Sequence, residues 1–385
     1  MQSEDVAALR ALAREFCDRE VRPGARERDR GEEFPAELVH RLAEVGFLGL
    51  TAPAEYGGQE ADPFSYAAVM EELGAADSAV RSLVSVTAGL VVGSIVRWGD
   101  ESQRRAWVPR IVAGEVAAFG LTEPEAGSNP AQLRTTAVRR GDGWVVTGAK
   151  TFITNGSRGC LTLVFARAVV DGEDRGITCF LVPQDAAGYR TTPIGGKLGI
   201  RASDTAAVHL DGVEVGPQSV LGEVGRGMQV ALSALDNGRF SLAAAAVGVA
   251  REALDASVAY ALERHQFGRA IASHQLVQEL LADMHVDVAA ARGLVHQVAA
   301  KKAAGERFTT EASVAKLFAT EAAVRCADRA VQVHGGYGYV DDYPVQRLLR
   351  DARVTTLYEG TSQIQRLLIG KALTGCSAFH AGAPA

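Results

Sequence analysis

The 385 residues are enough for two or three domains around an extensive core. Charged residues make up 22% and hydrophobic ones 47%, and a formal net charge of −6 without any basic run argues against a nucleic-acid partner. Five scattered cysteines (Cys17, Cys160, Cys179, Cys326 and Cys376) include no Cys-x-x-Cys, which fits a reducing cytoplasm better than a disulfide framework or a zinc site.

Glu4 and Asp5 interrupt the N-terminus, so no signal or transit peptide is expected. Val6, Leu9, Leu12, Ala13 and Phe16 fall on one face of a first helix. Pro35 sits at the start of a second, which carries Leu38, Leu42 and Val45 and stops at Gly46. After a loop from Pro53 to Pro63, residues Ser78 to Trp98 are apolar nearly all round apart from Arg81 and Arg97, as in a buried helix. Asp100 and Gln103 form a capping box for the next helix, which ends at Gly114.

The texture changes near Ala117. Thr135 to Arg140 and Trp144 to Thr147 read as strands joined by the turn Gly141-Asp142-Gly143. Leu161–Val170, Gly176–Val182 and Ala206–Val215 continue the pattern, so the middle region is predicted to be an antiparallel sheet or small barrel. Helical periodicity returns at Gly227, with segments over about 228–265, 275–304, 310–334 and 344–371 that suggest an antiparallel four-helix bundle. The longest apolar tract, around Leu242 to Ala250, is too short to span a bilayer, and no membrane association is expected. The predicted fold is therefore α+β. It has a helical domain over 1–116, a β domain over 117–226 and a helical bundle over 227–385.

The usual nucleotide fingerprints fail. Gly143 and Gly148 are spaced as in a phosphate loop, but Ala149 intrudes before Lys150-Thr151 and the segment lies on a hairpin. Gly222, Gly225 and Gly227 come in the wrong order for a dinucleotide turn, with no βαβ unit around them. His274, His285 and His296 share a helical face but stand roughly 16 Å apart in sequence order, too far to hold one metal. No metal site is expected.

Three stretches remain. In the first, a strand leads into Phe119-Gly120-Leu121-Thr122-Glu123-Pro124-Glu125-Ala126-Gly127-Ser128-Asn129, a loop with hydroxyls and free backbone N–H groups. Such a loop can hydrogen-bond a heteroaromatic ring and a pyrophosphate, although composition leaves a plain surface turn equally open. The second is Lys150-Thr151-Phe152-Ile153-Thr154-Asn155-Gly156, where Phe152 and Thr154 are placed on one strand face, one to stack on a ring and one to donate to it. The third, Tyr358-Glu359-Gly360-Thr361-Ser362-Gln363-Ile364-Gln365, sets a carboxylate at the mouth of a helix that Thr361 caps. Alone, Glu359 could simply complement a helix dipole.

Together these segments resemble the signature stretches of the acyl-CoA dehydrogenase family. So do Leu235-Asp236-Asn237-Gly238-Arg239, Arg264-His265-Gln266-Phe267-Gly268 and Gln332-Val333-His334-Gly335-Gly336, in order over nearly the whole chain. The resemblance implies FAD as cofactor. Phe119, Leu121, Thr122 and Ser128 match its loop contacts, and Phe152, Ile153 and Thr154 match the strand against the isoalloxazine ring. Phenylalanine at 152 keeps the apolar face of the tryptophan found in some relatives but lacks its N–H. Arg264, Phe267, His274 and Gln275 match positions that reach FAD from a neighbouring subunit, and Gln332, Val333, Gly335 and Gly336 match adenosine-side contacts. Thr361 and Gln363 complete the cofactor site. Ser128, Asp236, Arg239, Tyr358 and Gly360 match substrate positions.

Glu359 matches the family's usual catalytic base. Isovaleryl-type and long-chain relatives place it instead at the position of Gly238, and glycine cannot do that chemistry. The resemblance thus implies α,β-dehydrogenation of an acyl-CoA, preferably short and saturated. Electrons would pass to an electron-transferring flavoprotein, and the enzyme would be a cytoplasmic homotetramer. The rival readings are a biosynthetic dehydrogenase or oxidase acting on a carrier-protein-bound acyl group, a flavin monooxygenase that Glu359 disfavours, and a non-catalytic helical assembly.

Overall fold

The structure, a computed structural model, describes residues 4–33 and 36–379. The N-terminal helices are α1 (Glu4–Phe16), α2 (Ala25–Gly31), α3 (Ala36–Glu44) and α4 (Pro63–Ala76). Val6, Ala13 and Phe16 of α1 are buried, whereas Leu12 is 43% exposed, so the buried stripe is narrower than the sequence predicted. Pro35 lies outside the described residues. Next come α5 (Ser78–Val84), a wider π-helical stretch over Ser85–Val92, and α6 (Gly93–Trp98), which run on as one rod. At 21 residues this rod is long and apolar enough to cross a membrane, which overturns the expectation that the Leu242 tract is the longest apolar run. Its apolar surface is covered by protein, 78% of the apolar window being buried. The predicted capping box starts α7 (Glu101–Val112), with the Gln103 N–H donating to Asp100 at 2.8 Å and the Asp100 N–H to Gln103 at 3.1 Å.

The β region is one eight-stranded sheet. Its strands are β1 (Ala117–Gly120), β2 (Thr136–Arg140), β3 (Gly143–Thr154), β4 (Leu161–Val170), β5 (Glu173–Pro183), β6 (Tyr189–Pro193), β7 (Thr205–Val215) and β8 (Val220–Leu221). The order is β6-β7-β3-β2-β4-β5-β8, with β1 also on β4. Pairing is antiparallel except on β4, which β1 and β2 join in parallel. The cause is the path of the chain. The hairpin reverses β3 against β2, the turn after Thr154 reverses the chain again, and β4 then lies beside β2 running the same way. Because β1 pairs with residues 161–164 and β2 with 167–169 on that one edge, the segment between them is pushed out as a loop. That loop carries Thr122 and Ser128.

The C-terminal region opens with α8 (Gly227–Glu263), then a short ribbon of β9 (His265–Gln266) and β10 (Arg269–Ala270), then α9 (Gln275–Ala303) and α10 (Thr309–His334). The fourth predicted segment is two helices, α11 (Val345–Thr355) and α12 (Ser362–Thr374). Between them the backbone turns left-handed, with φ +56° at Glu359 and +86° at Gly360, which no α-helix can carry. The break is what presents the third stretch.

Candidate active site

The loop between α11 and α12 is fixed by its carbonyls. Gln365 donates through Nε2 to the Glu359 and Gly360 oxygens, each at 3.0 Å. Lys316 of α10 donates to the Gly360 oxygen at 2.7 Å, and Arg239 of α8 to the Glu359 oxygen at 3.4 Å. Thr361 caps α12 as the sequence predicted, accepting from the Ile364 N–H at 3.2 Å. With its backbone held this way, the Glu359 side chain turns onto α8 at Gly238. A Cβ added at Gly238 would stand 2.4 Å from Glu359 Oε2, so the glycine makes room for the carboxylate. A glutamate at 238 and one at 359 would claim the same space.

Glu359 Oε2 is sealed from solvent and has no hydrogen-bond partner. Burial pushes the carboxyl up to about 7, against the opposing charges of Arg239, Lys316 and Arg81. A carboxylate poised there, with one bare oxygen, is equipped to take a proton near neutral pH. Arg81, buried on α5, donates to the Tyr358 hydroxyl with its guanidinium 5.8 Å from that ring's centre. Its Nε has no partner.

Asp236 lines a cavity of about 700 Å³ together with Tyr66, Arg97, Asn237, Lys302 and Arg307. Arg239 differs from its expected role beside a bound ligand. It is buried, paired to Asp236 at 2.8 Å, and directed at the Glu359 carbonyl.

The Thr122 loop is tied to β3. The Thr151 N–H donates to the Thr122 oxygen at 2.9 Å. Beneath it the fully buried Lys150 ammonium meets Glu123 at 2.7 Å, and Glu123 also accepts from Arg134, Thr135 N and Thr135 Oγ1. Burial alone would raise the Glu123 carboxyl, but Lys150 and these donors hold it below its usual range. Thr122 is half-buried and Ser128 exposed. Phe152 is 68% exposed at φ +58°, within a register shift between Lys150 and Ile153, so this end of β3 is not the regular strand the sequence suggested. Ile153 points the other way, into the core of the sheet, and Phe119 and Leu121 are largely covered. Thr154 is half-buried and Gln363 exposed.

The remaining predicted contacts gather elsewhere. Arg264, Gln332, Val333, Gly335 and Gly336 line one cavity of about 570 Å³, in which neither Thr122, Phe152 nor Glu359 takes part. A Cβ on Gly335 or Gly336 would meet nothing within 4 Å. Phe267 stands 93% exposed at the tip of the β9–β10 ribbon, and Gln275 is exposed at the start of α9. His274 braces the ribbon, its ring nitrogens 3.1 Å from Arg269 and 3.3 Å from the Gln266 carbonyl.

Three residues that shape the base were given no role at the site from the sequence: Arg81, Lys316 and Gln365. A charged residue inside an otherwise apolar or alanine-lined helix was the available signal for the first two.

Three domain families match the chain in order. They are the acyl-CoA dehydrogenase N-terminal domain over residues 3–115, the middle domain over 118–213 and the C-terminal domain over 225–374. The chain is 38% identical to the short-chain specific acyl-CoA dehydrogenase of Clostridium acetobutylicum, over 94% of this chain and 96% of that one. Its fold superposes with a TM-score of 0.94 on glutaryl-CoA dehydrogenase from Mycobacterium smegmatis, at 37% identity over 98% and 97% of the two chains. With the prolyl acyl carrier protein oxidase AnaB the TM-score is 0.93 and the identity 30%, over 97% and 100%.

Proposed function

The chain belongs to the acyl-CoA dehydrogenase family, and from this premise we propose that it removes the α- and β-hydrogens of an acyl-CoA, with Glu359 as the base. The observation that carries the reading is the Glu359 carboxyl pressed onto Gly238 with its Oε2 buried and unpartnered. The Glu359 carboxylate takes the α-proton, through the Oε2 that is sealed from solvent. FAD, when bound, supplies the acceptor for the β-hydride.

The residues fit that cofactor. An exposed Phe152 ring lies beside a loop clamped by Glu123 and Lys150, and open ground stands over Gly335 and Gly336 where a nucleotide can approach the backbone. The His334 Nε2, in the same cavity, is buried without a partner. Thr122, Ser128, Phe152 and Thr154 would hold the ring, with Thr361 and Gln363 beside them, and Arg264 and the Gln332–Gly336 turn of a second subunit the adenosine side.

Anaerobic mixing with acyl-CoA, read as bleaching of the flavin, tests the assignment. A colourless protein that takes up no FAD would leave only the binding-protein reading. The reactive form is the carboxylate, so kcat/KM is expected to fall about tenfold per pH unit below about 7 and to level off above it.

The acyl group is short in this reading, after the Leu235–Arg239 stretch. A second reading of its far end is favoured by Arg81. The buried guanidiniums of Arg239 and Arg347 are paired with Asp236 and Asp351, but Arg81 has no acidic partner among the described residues and keeps Nε free. A carboxylate at the end of a short acyl chain, as on the glutaryl group that names one neighbour, would satisfy it. In a panel of acyl-CoAs of graded length, activity should peak at short chains and change gradually, since a methylene is worth about 1–3 kcal/mol. Arg81→Met should lower the glutaryl-to-butyryl ratio of kcat/KM roughly tenfold, the worth of a charge-assisted hydrogen bond. A peak at long chains, or an unchanged ratio, would count against the two parts respectively. Electron-transferring flavoprotein is the proposed acceptor. Oxygen consumption, or turnover of carrier-bound substrate alone, would instead place the chain with the carrier-protein oxidases that AnaB represents.

A further inference from the structure

Helix α10 turns a stripe of small residues inward, with Ala312, Ala315, Ala319, Ala322 and Ala323 all buried. Lys316 stands in the middle of that stripe, fully buried. Lysine is almost never buried without a partner, and the cost of desolvating an ammonium is several kcal/mol. Among the described residues the ammonium's only hydrogen bond is to the Gly360 carbonyl at 2.7 Å, and no acidic side chain pairs with it. An apolar residue of the same length would serve the packing of α10 at less cost, so packing does not account for this ammonium.

The surroundings do. The charged and titratable groups that act on Glu359 come from four helices: Tyr66 from α4, Arg81 from α5, Arg239 from α8, itself paired to Asp236, and Lys316 from α10; its chain neighbour Tyr358 is bonded to Arg81. Arg239 is neutralised by Asp236 at 2.8 Å, and Arg81 is engaged with the Tyr358 hydroxyl. Lys316 is the cation that bonds the backbone of the base turn without a paired acid, whereas Arg81 reaches only the Tyr358 side chain. Glu321 lies near it but is paired with Arg366 at 2.7 Å. Although burial draws the Lys316 ammonium down to about 8, it remains protonated at neutral pH, and Glu359 favours that state.

We propose that Lys316 is a positioning residue for the base: its hydrogen bond to the Gly360 carbonyl holds the left-handed turn that aims Glu359, and its charge favours the ionised form of the Glu359 carboxyl. The proposal rests on Glu359 being the base. The two functions separate by substitution, because Lys316→Gln keeps a donor and loses the charge, whereas Lys316→Met loses both.

Both variants should move the acidic limb of the kcat/KM profile about one pH unit upward, the size of a ~1.4 kcal/mol loss of interaction with the carboxylate. Lys316→Met should in addition lose roughly tenfold in the plateau kcat, which Lys316→Gln largely retains. An infrared difference titration of the holoenzyme reads the same shift without turnover. The carboxyl band that Glu359→Gln abolishes should titrate about one unit higher in each variant that folds. A lowered plateau with limb and band unmoved would overturn the proposal by reducing Lys316 to a structural prop. If Glu359→Gln keeps its activity, the assignment of the base falls instead, and the two failures are told apart by that variant alone.

Discussion

Glu359→Gln is expected to fold, to bind FAD and to lose about 100- to 10,000-fold in turnover, the usual cost of removing a positioned base. The substitution keeps the volume of the side chain against Gly238 and leaves the four hydrogen bonds to the Glu359 and Gly360 carbonyls, from Arg239, Lys316 and Gln365, untouched. It deletes only the basic oxygen. Stability should not fall, because the wild-type carboxylate already bears a larger desolvation cost than a neutral amide does. The space at Gly238 makes the test sharp. No second carboxylate fits at that point of α8 while Glu359 is in place. Rapid anaerobic mixing of the variant with a good substrate checks the expectation. Flavin bleaching at the wild-type rate would show that the α-proton leaves by another route.

What could be read from the sequence, and what could not, divides along a physical line. The β2–β3 hairpin was legible because Gly141-Asp142-Gly143 is a turn between alternating strands, and α7 because Asp100 and Gln103 form a local device. The Tyr358–Gln365 stretch was legible as a helix start because Thr361 caps within three residues. Strand β6 was not, being a short edge strand ending in Pro193, without apolar alternation. The parallel pairing on β4 was hidden too, because it follows from which edge the strand takes and not from its residues. The base itself shows the same division. Glu359 was found from its neighbours in sequence, but Arg81, Lys316 and Gln365 act on it from two other helices and from beyond the loop. No spacing rule connects residue 81 or 316 to residue 359. Arg239 was found, yet its direction was not, since only the fold turns it from the cavity toward the Glu359 carbonyl.

Arg264→Ala is expected to weaken FAD binding roughly 10- to 100-fold and, with it, to loosen the assembly, which we propose is a homotetramer built as a pair of dimers. The figure is the loss of charge-assisted hydrogen bonds worth about 1.5–3 kcal/mol to a phosphate. Arg264 is exposed, its guanidinium lies 5.7 Å from the centre of the Tyr337 ring, and it pairs with no acid among the described residues. It is thus free to grip an anion through two directed donors. The cavity it lines holds the Gly335-Gly336 turn but none of the residues assigned to the flavin ring, and a bare Phe267 stands beside it on the ribbon. Two halves of one cofactor site separated in this way on one chain can be joined by a second copy. A ligand that spans two chains binds only the assembled state and so must stabilise it. Light scattering with and without FAD, on wild type and variant, measures the linkage. Wild type should dissociate more readily when stripped of FAD, and Arg264→Ala should do so even at FAD concentrations that saturate wild type. A stable monomer that binds FAD as tightly as the assembly would refute the shared site, because one chain would then supply every contact the cofactor needs.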